Sequence, residues 1–139
     1  MNRKTVYTIL IASLSALLGS ATMNAQGTTE IANVPFAFHA NGKTLPAGKY
    51  LVEQKSTSTV FYLSNKTGPS AFVSFGTMRS GDPADPKLTF LCYGHECALS
   101  AISMPGDMVA YGASDASLDR QFSHKIGMAA LISVRLTPR

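Results

Sequence analysis

The residues best equipped for chemistry lie at Cys92-x-x-His95-x-Cys97, two thiols and an imidazole within one short stretch. Three readings fit these residue types: a disulfide, a pair of free thiols, or part of a metal site. Structural zinc wants four ligands, and this stretch offers three. The other two histidines, His39 and His124, are distant in sequence. A nucleophilic mechanism needs a hydroxyl or thiol beside a His that a third group orients. Nothing local supplies that set, so the three histidines are expected not to converge, and no catalytic, cofactor-binding or metal-ligating residue is assigned. Asp82 and Asp85 resemble a weak calcium loop, but calcium takes six to eight oxygens, and such loops are ordinarily just solvated. Asn65-Lys66-Thr67 matches a glycosylation sequon.

The element that must hold Cys92 and Cys97 is a hairpin over residues 87–104, KLTFLCYGHECALSAISM. With Gly94-His95 as a two-residue type II′ turn, Tyr93 faces Glu96, Cys92 faces Cys97, Leu91 faces Ala98 and Phe90 faces Leu99. Continuing the register puts Thr89 opposite Ser100 and Leu88 opposite Ala101. Side chains alternate across a strand, so Leu88, Phe90, Cys92, Cys97, Leu99 and Ala101 share one apolar face. The cysteines then form a non-hydrogen-bonded pair, with Cα atoms about 4.5 Å apart, within reach of a disulfide. Both sulfurs face the core and His95 sits at the turn tip. The register therefore favours the Cys92–Cys97 disulfide over a metal site.

Ahead of this domain stands an address. Arg3 and Lys4 precede an apolar run over residues 6–18, and small residues follow, as in a secretory signal peptide. Cleavage after Ala21 or after Ala25 satisfies the pattern, so residues 1–25 are read as leader and 26–139 as a single exported domain, periplasmic or secreted. Export places the cysteines in an oxidising compartment, which again favours their bridge. Loss of Arg3 and Lys4 halves the formal net charge of +4. The remaining basic residues are scattered singly, which argues against nucleic acid as a partner. The apolar run is short for a membrane span, and no span is expected in the mature chain.

Along residues 26–139 the pattern is β throughout. Residues 26–30 read as a polar leader. Residues 34–40, VPFAFHA, alternate with Val34, Phe36, Phe38 and Ala40 inward and His39 outward. Asn41-Gly42 is a strong hairpin turn, and Leu45-Pro46-Ala47-Gly48 a type I turn. Residues 49–55 form a strand with Tyr50 and Val52 inward. Residues 59–65 do not alternate and are expected to be covered on both faces. Residues 70–78 put Ala71, Val73 and Phe75 inward, residues 79–86 are loop, and residues 108–112 form a short strand. Over 114–125 a short helix competes, capped by Ser114 or Ser117 and stopped by Gly127. Residues 129–137 close the chain, with Ile132, Val134 and Leu136 on one face. Turn signals at this spacing predict an all-β fold, a small antiparallel β-sandwich or partly closed β-barrel of about seven or eight strands, with room for one short helix near the C-terminus.

The stretch VPFAFHANGKTLPAGKYLV at residues 34–52 resembles a family of small secreted β-rich proteins of unknown function common in acidobacterial genomes. That family shows a VPF-x-F strand, a Gly-containing turn and LPAG-x-Y entering the next strand. Ser117-Leu118-Asp119-Arg120 is similar to its S-x-x-[ED]-R element. The resemblance implies a small exported β-domain and carries no catalytic residues. An outer-membrane barrel fits poorly, since its strands run to about ten residues with aromatic girdles, and this chain has no Trp.

Several strands carry apolar residues on both faces. Leu51 sits among outward charges, Phe72 opposes the Val73–Phe75 face, and Tyr62 lies opposite Phe61 and Leu63. Such residues must be covered by residues 114–139, by a second copy, or by a protein partner of unknown identity. Leu51, Tyr62 and Phe72 are therefore the candidate interaction surface of a binding or structural module. Two alternatives stand beside it. A cavity lined by Phe36, Phe38, Phe90 and Leu99 would indicate a lipocalin-like binder of a small apolar ligand. A cleft joining a His to a carboxylate and a hydroxyl would indicate an enzyme.

Overall fold

The computed structural model describes residues 28–55 and 59–139, so the leader assigned to residues 1–25 lies outside the described residues. The chain begins with β1 (Thr29–Val34) and β2 (Phe38–Ala40). Thr29 and Glu30, expected in a polar leader, belong to β1, and Glu30 faces inward. The strand expected over residues 34–40 is divided in two. Pro35 has no N–H to donate to a ladder, and the chain changes neighbours there. β1 pairs with β4 (Gly48–Gln54), whereas β2 pairs with β3 (Lys43–Leu45). The inward alternation survives the break: Val34, Phe38 and Ala40 are buried and Phe36 half-buried.

Asn41 and Gly42 join β2 to β3 with φ of +48° and +74°. Positive φ at both central positions is the type I′ condition. The LPAGKY segment is then pinned by its own tyrosine. Tyr50, fully buried on β4, donates its hydroxyl to the Pro46 carbonyl at 2.6 Å. Glycine at position 48 keeps space for a neighbour, since a Cβ there would stand 2.9 Å from Asn65 Nδ2.

The meander continues through β5 (Val60–Ser64) and β6 (Ala71–Ser74). Cover on both faces is not what β5 receives. Phe61 and Leu63 are buried, while Val60 and Tyr62 are only half-covered. After Phe75 and Gly76 the chain enters β7 (Thr77–Ser80), which pairs with β10 (Val109–Gly112). The single strand expected over 70–78 is therefore two strands with different partners. Arg79 and Ser80 are strand rather than loop. Ala71, Val73 and Phe75 are buried as expected.

The hairpin of β8 (Lys87–Tyr93) and β9 (Glu96–Ser103) has the expected register from Tyr93↔Glu96 to Phe90↔Leu99. Beyond that it slips by one, with Thr89 opposite Ala101 and Leu88 opposite Ile102. A bulge absorbs Ser100, whose carbonyl accepts the Ala113 N–H at 2.8 Å. The slip brings Ile102 inside in place of Ala101, which fills more of the core. Gly94 has φ of +60° and His95 is not positive, consistent with the type II′ turn.

Helix α1 covers only Asp115–Asp119, capped by the Ser114 hydroxyl accepting the Ser117 N–H at 3.2 Å. Gly127 is not its stop; the helix ends at Arg120, and Phe122 leaves it to meet the Tyr93 ring edge-on at 4.9 Å. Strand β11 (Ala129–Pro138) then completes the sheet, pairing with β8 along Ala129–Arg135 and with β1 at Leu136–Pro138. The strand order is β3-β2-β9-β8-β11-β1-β4-β5-β6, with β10 linking β9 to β7.

This is one sheet nearly closed into a barrel, so the sandwich alternative gives way. The eleven strands among the described residues exceed the expected seven or eight because two predicted strands each split and the 43–45 stretch pairs on its own. Between the barrel's ends, Asn41 Nδ2 donates to the Phe72 carbonyl at 3.0 Å. The interior is filled by rings: Phe38 meets Phe90 at 5.0 Å and Tyr50 at 5.4 Å, Phe36 meets Phe90 at 5.1 Å, and Phe61 meets Phe75 at 5.7 Å. Each buried ring contributes roughly 1.5–3 kcal/mol by transfer from water. No helix among the described residues is long and apolar enough to cross a membrane.

Candidate functional site

Leu51, Tyr62 and Phe72 emerge on one face. Strand alternation puts Tyr50 and Val52, Phe61 and Leu63, and Ala71 and Val73 inside, so their sequence neighbours must point out. The register aligns them across three strands: Ile31 opposite Leu51, Leu51 opposite Ser64, and Tyr62 opposite Phe72. The Tyr62 and Phe72 rings are 4.5 Å apart, and Phe72 is 55 % exposed. Lys55 Nζ lies 5.3 Å from the Tyr62 centroid and bonds Glu53 at 2.9 Å. Within residues 114–139, β11 enters the sheet edgewise between β1 and β8, Arg139 stands near Leu51, and Phe72 at the far end stays exposed.

At one end the strip descends into a groove of about 440 Å³. Ile31, Ala47 and Leu51 are apolar residues lining it, and Lys49, Lys66 and Arg139 stand around it. Asn65 braces the wall, its side-chain oxygen accepting the Thr67 N–H at 3.0 Å and the Thr67 hydroxyl at 3.2 Å. That Asx turn is what the sequon residues do in the fold.

Of the residues expected to line a ligand cavity, Phe38, Phe90 and Leu99 are buried, and Phe36 and Phe38 meet the Phe90 ring at 5.1 and 5.0 Å. The cysteines sit where the hairpin register put them, bonded to each other with Cα atoms 4.1 Å apart. Asp82 accepts the Ala84 N–H at 2.9 Å, and Asp85 pairs with Lys87 at 2.7 Å. The Lys87 bond and charge hold the Asp85 carboxyl below the usual carboxylate range. Among the described residues no cluster of His, Cys, Asp or Glu is arranged to hold a metal.

The histidines depart from expectation. His39 is half-buried, and it shares a depression of about 350 Å³ with His95, Thr44, Glu96 and Ser123. His39 Nδ1 lies 3.0 Å from the Thr44 hydroxyl, and its Nε2 lies 3.4 Å from Glu96 Oε1. Glu96 also accepts the Ser123 N–H at 2.8 Å and the His124 N–H at 3.4 Å. Those amides, Ser123 foremost, push its carboxyl below the ordinary value, with the nearby His39 adding to the effect. What sequence reading missed is the parallel pairing of β2 with β9, His39 opposite Ala98. No local pattern encodes that contact between residues 59 positions apart.

Comparison with known protein families, curated proteins and solved structures found no match.

Proposed function

We propose that this chain is an exported binding module that recognises a protein partner, or a second copy, through the outer face of β1, β4, β5 and β6. The observation that carries this reading is the outward Leu51–Tyr62–Phe72 strip, half-buried at Leu51 and Tyr62 and exposed at Phe72, on a barrel with rings packed in its interior. Aromatic residues at the centre of a polar-rimmed patch are the usual anchors of protein interfaces. The leader at residues 1–25 and the Cys92–Cys97 bridge support export. The resemblance of residues 34–52 to small secreted β-rich proteins supports it too.

The test is the pair Leu51→Ser and Phe72→Ser in the exported protein. Light scattering and retention of a partner from the native extracellular or periplasmic fraction should show the complex weakened at least tenfold, with thermal stability nearly unchanged. A double variant that unfolds several kcal/mol more easily would place these residues inside the fold and end the reading.

The Thr44–His39–Glu96 order favours a second reading, acyl transfer. The Thr44 oxygen would attack an ester carbonyl as its proton passes to His39, which returns that proton to the departing alcohol; water then releases the acyl group and restores the hydroxyl. Hydrolysis of p-nitrophenyl acetate no faster than by His39→Gln and Thr44→Val removes this alternative.

A further inference from the structure

We infer that the groove beside Leu51 binds an amphiphilic carboxylate, a medium-length alkyl chain ending in one acidic group. This deepens the proposed reading of the same face and rests on that face being the recognition surface. The groove joins two features that such a ligand matches. Its floor is apolar, from Ile31 and Leu51, and its volume of about 440 Å³ falls within the range of small-molecule sites. Its margin is basic, since Lys49 and Lys66 line it and neither joins any ion pair among the described residues. Arg139 adds a guanidinium to the same margin. Among the described residues no Asp or Glu lines the groove. The next outward residue along β4, Glu53, is engaged by Lys55, and Glu30 faces the opposite side of β1.

A purely inorganic anion would leave Ile31 and Leu51 wet, and a neutral hydrocarbon would leave the lysines unused. An alkyl carboxylate places its chain over the apolar floor and its head between Lys49 and Lys66. The Asn65 side-chain nitrogen, which has no hydrogen-bond partner among the described residues, lies beside the same wall.

The experiment is calorimetric titration of the exported protein with octanoate, decanoate and dodecanoate below their micellar concentrations. Decyltrimethylammonium and acetate serve as probes of charge alone and of head group alone. One site per chain is expected, tightening about fourfold per added methylene and weakening with salt. Lys49→Glu with Lys66→Glu should reduce decanoate affinity at least tenfold at unchanged melting temperature, and Leu51→Ser should reduce it too. Phe72→Ser, outside the groove, should leave decanoate binding unchanged. Equal binding of the cationic analogue, an unaffected double-lysine variant, or no measurable heat with decanoate overturns the inference. The partner assay separates the two readings. Loss of the partner on Phe72→Ser without decanoate binding sinks the ligand alone, whereas decanoate binding without any partner sinks the protein-interface reading alone.

Discussion

Glu30 is the residue most at odds with its surroundings. It is 5 % exposed, faces the interior of β1 between Val52 and Pro138 in the register, and its Oε2 has no hydrogen-bond partner among the described residues. Burial pushes its carboxyl above the ordinary range, because desolvation disfavours the charged form. For a group with a raised folded-state pKa, stability is fully present while the acid is protonated and is lost as pH rises through that value. Glu30→Gln should therefore stabilise the fold by roughly 1 kcal/mol at pH 7–8. The difference should vanish towards pH 3, as read by urea unfolding across pH. At Cys92 and Cys97 the physics is simpler. Closing so short a loop stabilises by about 2 kcal/mol through the unfolded state. The protein exported natively and alkylated without reductant should show no labelled thiol, and Cys92→Ala with Cys97→Ala should lower stability by about that amount.

Among the elements, the segment after α1 depends on one side chain from elsewhere. Glu96, at the start of β9, accepts the amides of Ser123 and His124 and stands beside His39 of β2. Its folded-state pKa is lowered, so the stability it adds is present above its unfolded value and is lost as pH falls through the folded one. Hydrogen exchange should show the Ser123 amide protected at pH 7, and opened both at pH 3 and in Glu96→Gln. Protection unchanged in the variant would mean that Glu96 does not hold this segment. The sequence offered Ser114 or Ser117 as the cap of α1, since a cap is a local signal, and the structure uses Ser114. It did not show where the helix ends, because Phe122 is drawn away by Tyr93 on β8. In the same way a proline was visible at position 35, but not that β2 would leave β1 and lie along β9.

At the scale of the whole molecule, the seam of the barrel is β11. Along Ala129–Arg135 it pairs with β8 alone, and β1 joins only from Leu136. Around that edge Ile126, Met128 and Leu131 are 74 %, 92 % and 70 % exposed. Residues 126–134 hold no charge and no proline, the features that ordinarily protect an edge from pairing with another chain. Leu131→Lys should change stability by no more than about 0.5 kcal/mol. It should also suppress aggregation on heating, measured by turbidity at equal concentration. A variant that aggregates as readily as the parent would move the liability elsewhere.

By itself the sequence determined what alternation, turn chemistry and short-range pairing can determine. It specified an all-β chain, a tight turn at Asn41-Gly42, and the hairpin that brings Cys92 to Cys97. It also gave the outward direction of Leu51, Tyr62 and Phe72, because a period of two assigns every strand residue to a face. Tertiary structure decided which strands neighbour one another, and with that everything built across strands. Ser100 bulges because Ile102 fills the core better than Ala101, and His39 reaches Glu96 because β2 lies parallel to β9. The groove at Leu51 joins Ile31, Lys49 and Lys66 from β1, β4 and the turn after β5. Those contacts depend on strand pairings between distant residues, whose closure is set by the packing of the whole barrel and leaves no trace in local pattern.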